Sequence, residues 1–145
     1  MYEYRCKLVK IIDGDTMDID IDLGFGVWLK GERVRLYGID TPESRTRDLT
    51  EKKYGLAAKS YATKFLDDEW LILKTKEYDA KGKFGRILGE LWRSTGYNND
   101  KSLNAYMIKD HHAVEYYGQS KEEIAERHIE NRRFVISEHL PDKVE

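Results

Sequence analysis

The heptapeptide "MDIDIDL", Met17 to Leu23, alternates apolar and acidic residues without a break. Side chains alternate across a β-strand but turn every 3.6 residues on a helix, so strict period two selects a strand. Met17, Ile19, Ile21 and Leu23 then face a core, while Asp18, Asp20 and Asp22 face the other way. A row of three acids also invites a metal-site reading. The segment lacks the glycine and terminal Glu of an EF-hand loop, and the row is read as the wet face of the strand.

The rest of the chain extends this pattern. "YRCKLVKII" (Tyr4–Ile12) reads as a preceding strand, and "DGDT" (Asp13–Thr16) as the turn between the two. "VWLKGERVRLYGI" reads as a third strand, which Gly31 breaks or curves. "DTPES" and a polar loop, "RTRDLTEKK", follow. Tyr54–Leu66 has helix-forming composition, with Leu56, Ala57, Tyr61, Ala62 and Phe65 at helical spacing. Strands return at Trp70–Tyr78 and Arg86–Arg93. Helices with serine N-caps are expected over Ser102–His112 and Ser120–Ile136. Five strands, with one helix before the fourth and further helices after the fifth, predict an α+β fold whose small curved sheet closes into a barrel. With 145 residues and no repeat or linker, one domain over residues 1–145 is expected.

Composition excludes several classes. No stretch approaches the roughly 20 apolar residues that span a bilayer, so no membrane partner is expected. The N-terminal "MYEYRCKLVK" has no apolar signal region, and the single Cys6 excludes an intramolecular disulfide. A cytoplasmic protein is the expectation. The net charge of −2 does not advertise a polyanion partner, but its distribution is uneven. Residues 30–64 hold nine Lys or Arg against five acids, whereas acids predominate on both sides of that segment. This local excess is read either as chance clumping on a solvated face or as a phosphate-facing surface.

Three short pieces fall at strand ends: "DGDT", "VRLYGIDTPES" (Val34–Ser44) and "KFGR" (Lys83–Arg86). Each is thereby able to sit on one rim of the same barrel. Asp15 and Asp40 offer hard oxygens suited to Ca²⁺ or Mg²⁺ rather than zinc, and the carbonyl of Thr41 can add a ligand. Arg35 and Arg86 supply planar forks that match phosphate oxygens. Glu43 remains as an acid near such a cation. A cation and two arginines stabilise the charge of a five-coordinate phosphorus while a carboxylate orients water, so the set points to phosphodiester hydrolysis.

"IDGDT", "RLYGIDTPE" and "KFGR", in that order with "EKKYGLAAK" between, resemble the staphylococcal-nuclease-like (thermonuclease) family. The resemblance runs over about Leu8–Arg93 and more loosely through the C-terminal helices. It implies an OB-type five-stranded barrel with about three packed helices. It also implies a Ca²⁺-dependent nuclease acting on DNA, RNA or both and leaving 3′-phosphate ends, with Mg²⁺ or Mn²⁺ left open as alternatives. On the same basis Asp15, Asp40 and the Thr41 carbonyl are the metal ligands. Arg35 and Arg86 are the phosphate clamps, and Glu43 positions the attacking water. Lys83 and Tyr116 contact substrate, although "AVEYYG" also permits Tyr117 in that role. A monomer is expected. Phe84 stands where the family often has Tyr, which removes a hydroxyl able to bond a terminal phosphate. The acidic balance differs from the basic secreted members and fits an intracellular, phage or bacterial one. The alternative is an inactive OB-type module that binds nucleic acid or protein. His111–His112 adjoin a helix end without a further ligand at zinc spacing, and Trp28, Trp70 and Trp92 are assigned to the core.

Overall fold

The structure is a computed structural model and describes residues 2–79, 85–95 and 100–144. Five strands close a barrel in the order β1-β2-β3-β6-β5. They are β1 (Glu3–Asp13), β2 (Thr16–Asp22), β3 (Trp28–Leu36), β5 (Leu71–Asp79) and β6 (Arg86–Arg93). Met17, Ile19 and Ile21 fill the interior as their alternation requires, with Val34, Leu36, Leu71, Leu73 and Leu91 from the other strands. Asp18, Asp20 and Asp22 face outward, and each finds a local partner. Asp18 takes Arg33, Asp20 takes Lys30 and the Gly31 amide, and Asp22 takes the Gly24 amide. The acidic row is thus the wet face of a strand. Leu23 departs from the pattern and is exposed, because β2 ends at Asp22 before the hairpin.

All neighbouring barrel strands run antiparallel except β3 and β6. A parallel pair needs a long crossover, and helix α1 (Leu49–Phe65) lies on that connection. α1 begins earlier than composition suggests, because Asp48 caps the amides of Thr50 and Glu51 within what reads as a polar loop. Its Ala58, Ala62 and Phe65 join the core, as do Leu103 and Met107 of helix α2 (Leu103–Lys109). Ser102 and Ser120 cap α2 and α3 (Lys121–Asn131) through their side chains, as expected. α3 stops short of the anticipated Ile136 and passes into a 3₁₀ turn over Arg132–Phe134.

The third predicted strand divides. β3 ends at Leu36, the chain turns at Gly38 with φ of 78°, and Ile39–Asp40 form a separate strand, β4. β4 pairs with β7 (Val114–Glu115) outside the barrel, a ribbon that no local pattern announces. The three tryptophans are half-buried rather than core. Trp28 and Trp70 stack with centroids 6.0 Å apart, and the Arg5 guanidinium covers Trp70 at 3.7 Å. The fold is therefore an α+β barrel, as the alternation and element order predict, and it is of the OB type with three α-helices among the described residues, as the family resemblance implies.

Candidate functional site

The Asp13–Thr16 turn lies where β1 and β2 meet α1. A side chain at Gly14 would stand 2.8 Å from Ala58 Cβ and 3.1 Å from Thr41 Cγ2, so only glycine lets the turn reach both. Asp13 accepts from the amide of Ser44 and from its hydroxyl. Asp15 is nearly buried. Its Oδ1 accepts from the Thr16 hydroxyl at 2.9 Å, and its Oδ2 from the Thr41 amide at 3.1 Å. The acids of "DGDT" therefore pin the segment Thr41–Ser44 against the end of the barrel.

Arg35, near the end of β3, joins the two ligand candidates. Its Nη1 is 3.3 Å from Asp15 Oδ2 and its Nη2 3.2 Å from Asp40 Oδ1. Nη1 also donates to the carbonyl of Ile39 at 3.1 Å, across the Gly38 turn. The other oxygen of Asp40 lies 2.8 Å from Nε2 of His128. Thr41 is buried beside Asp15, and its hydroxyl has no hydrogen-bond partner among the described residues.

Parallel pairing sets the opposite wall. Arg35 is level with Leu88, and Arg86, two residues earlier on β6, shares the face of Leu88. Arg35, Arg86 and Leu88 line a groove of about 510 Å³, to which Tyr116 and Tyr117 also contribute. The ribbon delivers these tyrosines, since the Tyr116 amide donates to the Gly38 carbonyl at 2.8 Å. Tyr116 is the one facing Arg35, with the guanidinium carbon 5.6 Å from its ring centroid.

Glu43 is exposed, but its backbone is held tightly. A Cβ at Gly55 of α1 would fall 2.2 Å from the Glu43 carbonyl oxygen and 2.6 Å from the Ser44 nitrogen. Partial burial raises the Glu43 carboxyl above its ordinary range, and the charges of Asp13, Asp15, Asp40 and Glu51 add to the shift. Five acids thus crowd one corner against Arg35. Among the described residues no three His, Cys, Asp or Glu side chains converge as a metal-ligand set. The donors that fit a divalent cation are two carboxylates, Asp15 and Asp40, with carbonyl oxygens and water completing the shell. The mutual repulsion felt at Glu43 is what a bound cation relieves.

The structure therefore brings together Asp15, Arg35, Asp40 and Thr41 by direct contact. It places Glu43 within their field, and Arg86 and Tyr116 across the same groove. Lys83, and Phe84 beside it, lie outside the described residues. Sequence reasoning passed over Gly55 and His128. For His128 a signal existed: Ile124, Arg127, His128 and Asn131 are the less exposed face of α3, where apolar residues are the rule.

Comparison with known proteins adds an independent line. The family model described as "Staphylococcal nuclease homologue" matches residues 33–139. The thermonuclease of Staphylococcus intermedius is 40% identical over 103 residues, covering 70% of this chain and 53% of that protein. The thermonuclease of Staphylococcus hyicus is 31% identical over 101 residues, covering 68% and 54%. A micrococcal nuclease of Shigella flexneri is 28% identical over 123 residues, covering 81% and 62%. The chain spans about half the length of the two thermonucleases.

Proposed function

The chain belongs to the staphylococcal nuclease homologue family, and from that premise we propose that it hydrolyses phosphodiester bonds of DNA, RNA or both. The proposed reaction uses a divalent cation, Ca²⁺ first, and leaves 3′-phosphate ends. The observation that carries this reading is the position of Arg35. One side of its guanidinium meets Asp15 and Asp40, and the same side chain opens onto the groove shared with Arg86 and Tyr116.

Asp15, Asp40 and the Thr41 carbonyl hold the cation in this reading. When bound, it supplies positive charge to a phosphate oxygen and lowers the pKa of coordinated water. The chain's own residues do the rest. Arg35 and Arg86 grip the non-bridging oxygens as forks, and their charge opposes the negative charge that grows on phosphorus. Arg35 is preorganised for this, since Asp15, Asp40 and the Ile39 carbonyl already fix its plane. Glu43 orients the attacking water. Tyr116 offers a ring to a base or sugar at the groove edge, and Lys83 contacts a terminal phosphate.

The test is digestion of plasmid, single-stranded DNA and RNA with Ca²⁺, with a chelator, and with Glu43→Gln. Cleavage that stops on chelation and falls at least a hundredfold in Glu43→Gln supports the reading. Products that a ligase joins only after the 3′-phosphate is removed and the 5′-hydroxyl is phosphorylated identify the ends. Cation-independent binding of single-stranded DNA without cleavage at long times would instead identify a binding module.

A further inference from the structure

We infer that His128 is a positioning residue for the cation site, holding Asp40 in the orientation that a ligand requires. The inference rests on the reading of Asp15, Asp40 and Thr41 as ligands. His128 lies in the last turn of α3, 88 residues from Asp40, yet its Nε2 stands 2.8 Å from Asp40 Oδ2. An ionised carboxylate only accepts hydrogen bonds, so Nε2 carries the proton and donates. Oδ1 of the same carboxylate meets Arg35 Nη2 at 3.2 Å. Arg35 also serves the groove, which leaves His128 as the anchor committed to Asp40.

Asp40 needs one. β4 is two residues long and, among the described residues, pairs only with the equally short β7, so its backbone bonds do little to restrain the carboxylate. His128 itself is held firmly. Its side chain is 12% exposed and, with Pro42, Tyr54, His112 and Arg132, lines a narrow cleft of about 10 Å³. One turn of chain further on, Asn131 donates to the Ala113 carbonyl at 3.1 Å, beside the start of β7. α3 is thus tied at two points to the ribbon that carries Asp40.

The competing explanation is that the bond merely docks α3. No residue of α3 is fully buried, so polar contacts do hold it. Docking alone, however, is served as well or better by an apolar side chain, because burying an imidazole costs desolvation that its bond only offsets. A histidine spent on one particular carboxylate, at the corner where five acids gather, fits an outer-shell partner of a ligand. Such partners typically change metal affinity by 10–100-fold.

Ca²⁺ titration of the metal-stripped full chain, without nucleic acid, separates the two by calorimetry or competition with Tb³⁺ luminescence. His128→Ala is expected to weaken Ca²⁺ binding 10–100-fold with the helical circular-dichroism signal unchanged. His128→Gln, whose amide can donate to the same oxygen, is expected to restore most of the affinity. Alanine binding as tightly as wild type, or glutamine failing to rescue, overturns the assignment. A wild-type chain that binds no divalent cation overturns it too, since nothing is then positioned. Nucleic acid left uncut by a chain that does bind Ca²⁺ sinks the nuclease reading alone, and the order of the three affinities still decides on His128.

Discussion

Arg33 and Arg35 lie two residues apart on the same face of β3, and each meets an aspartate from the β1–β2 region. Arg33 closes on Asp18 with Nε at 2.9 Å and Nη2 at 3.2 Å, a complete fork on one carboxylate with no second partner acid among the described residues. Arg35 is divided between Asp15, Asp40 and a backbone carbonyl. The first pair stands on an open sheet face, with the Arg33 side chain 39% exposed. The second is enclosed, with Arg35 at 15% and Asp15 at 11%. Identical residue types thus give a satisfied surface pair in one place and a shared, screened-off charge in the other. The difference comes from position: Arg35 stands where the chain leaves the barrel, so the turn, the ribbon and β6 all converge on it.

The strongest way to break this comparison is to keep both charges and remove the forks. Arg35→Lys is expected to cut the cleavage rate by about a hundredfold or more, the range for losing one preorganised contact to developing charge. Arg33→Lys should leave the rate unchanged within about twofold. Equal rate losses at the two positions would mean that the groove was wrongly assigned.

Such rates are comparable only while the scaffold is intact, and pH limits that. Burial, with His139 beside it, pushes the His112 imidazole down to about 4 from an ordinary 6.5. Below about 6.5 the unfolded chain takes up a proton that the folded state refuses, so stability falls as pH drops toward 4. The loss from this group reaches about 3 kcal/mol and is absent above pH 7. Denaturant melts at pH 7 and 4.5 check this, and His112→Gln should flatten the difference. Kinetic comparison of Arg33 and Arg35 variants therefore belongs above pH 7.

Gly55→Ala probes the same corner without touching a charge. Alanine favours a helix over glycine by about 1 kcal/mol, so any loss must be steric. A methyl 2.2 Å from the Glu43 carbonyl has to displace that backbone. A shift near one ångström costs about a hundredfold in rate, and displacing backbone costs about 1–3 kcal/mol of stability, so a rate loss of at least tenfold with a lowered melting temperature is the expected outcome. The smallest effect belongs to the surface pair. Arg33→Ala should destabilise by about 0.2–1 kcal/mol in denaturant melts, with the difference shrinking as salt is raised.

Much of this architecture was legible in the chain because it rests on local rules. Period two along Met17–Asp22 places β2's faces, and the serines before α2 and α3 mark their starts. Asp15, Arg35 and Asp40 could be picked out because residue type limits the chemistry each can perform. What the chain alone did not reveal are the contacts whose partners are remote. The division of the third strand depends on Val114–Glu115 offering Ile39–Asp40 another sheet to join. The close seat of Glu43 depends on Gly55 having no side chain where α1 crosses it. His128 meets Asp40 only because α3 folds back over the ribbon. Alternation, capping and turn formation act within a few residues, so sequence determined the strands, the helices and the cast of reactive groups. Distances between those groups depend on how the elements pack across tens of residues, and only the tertiary structure decided what each of the two arginines meets.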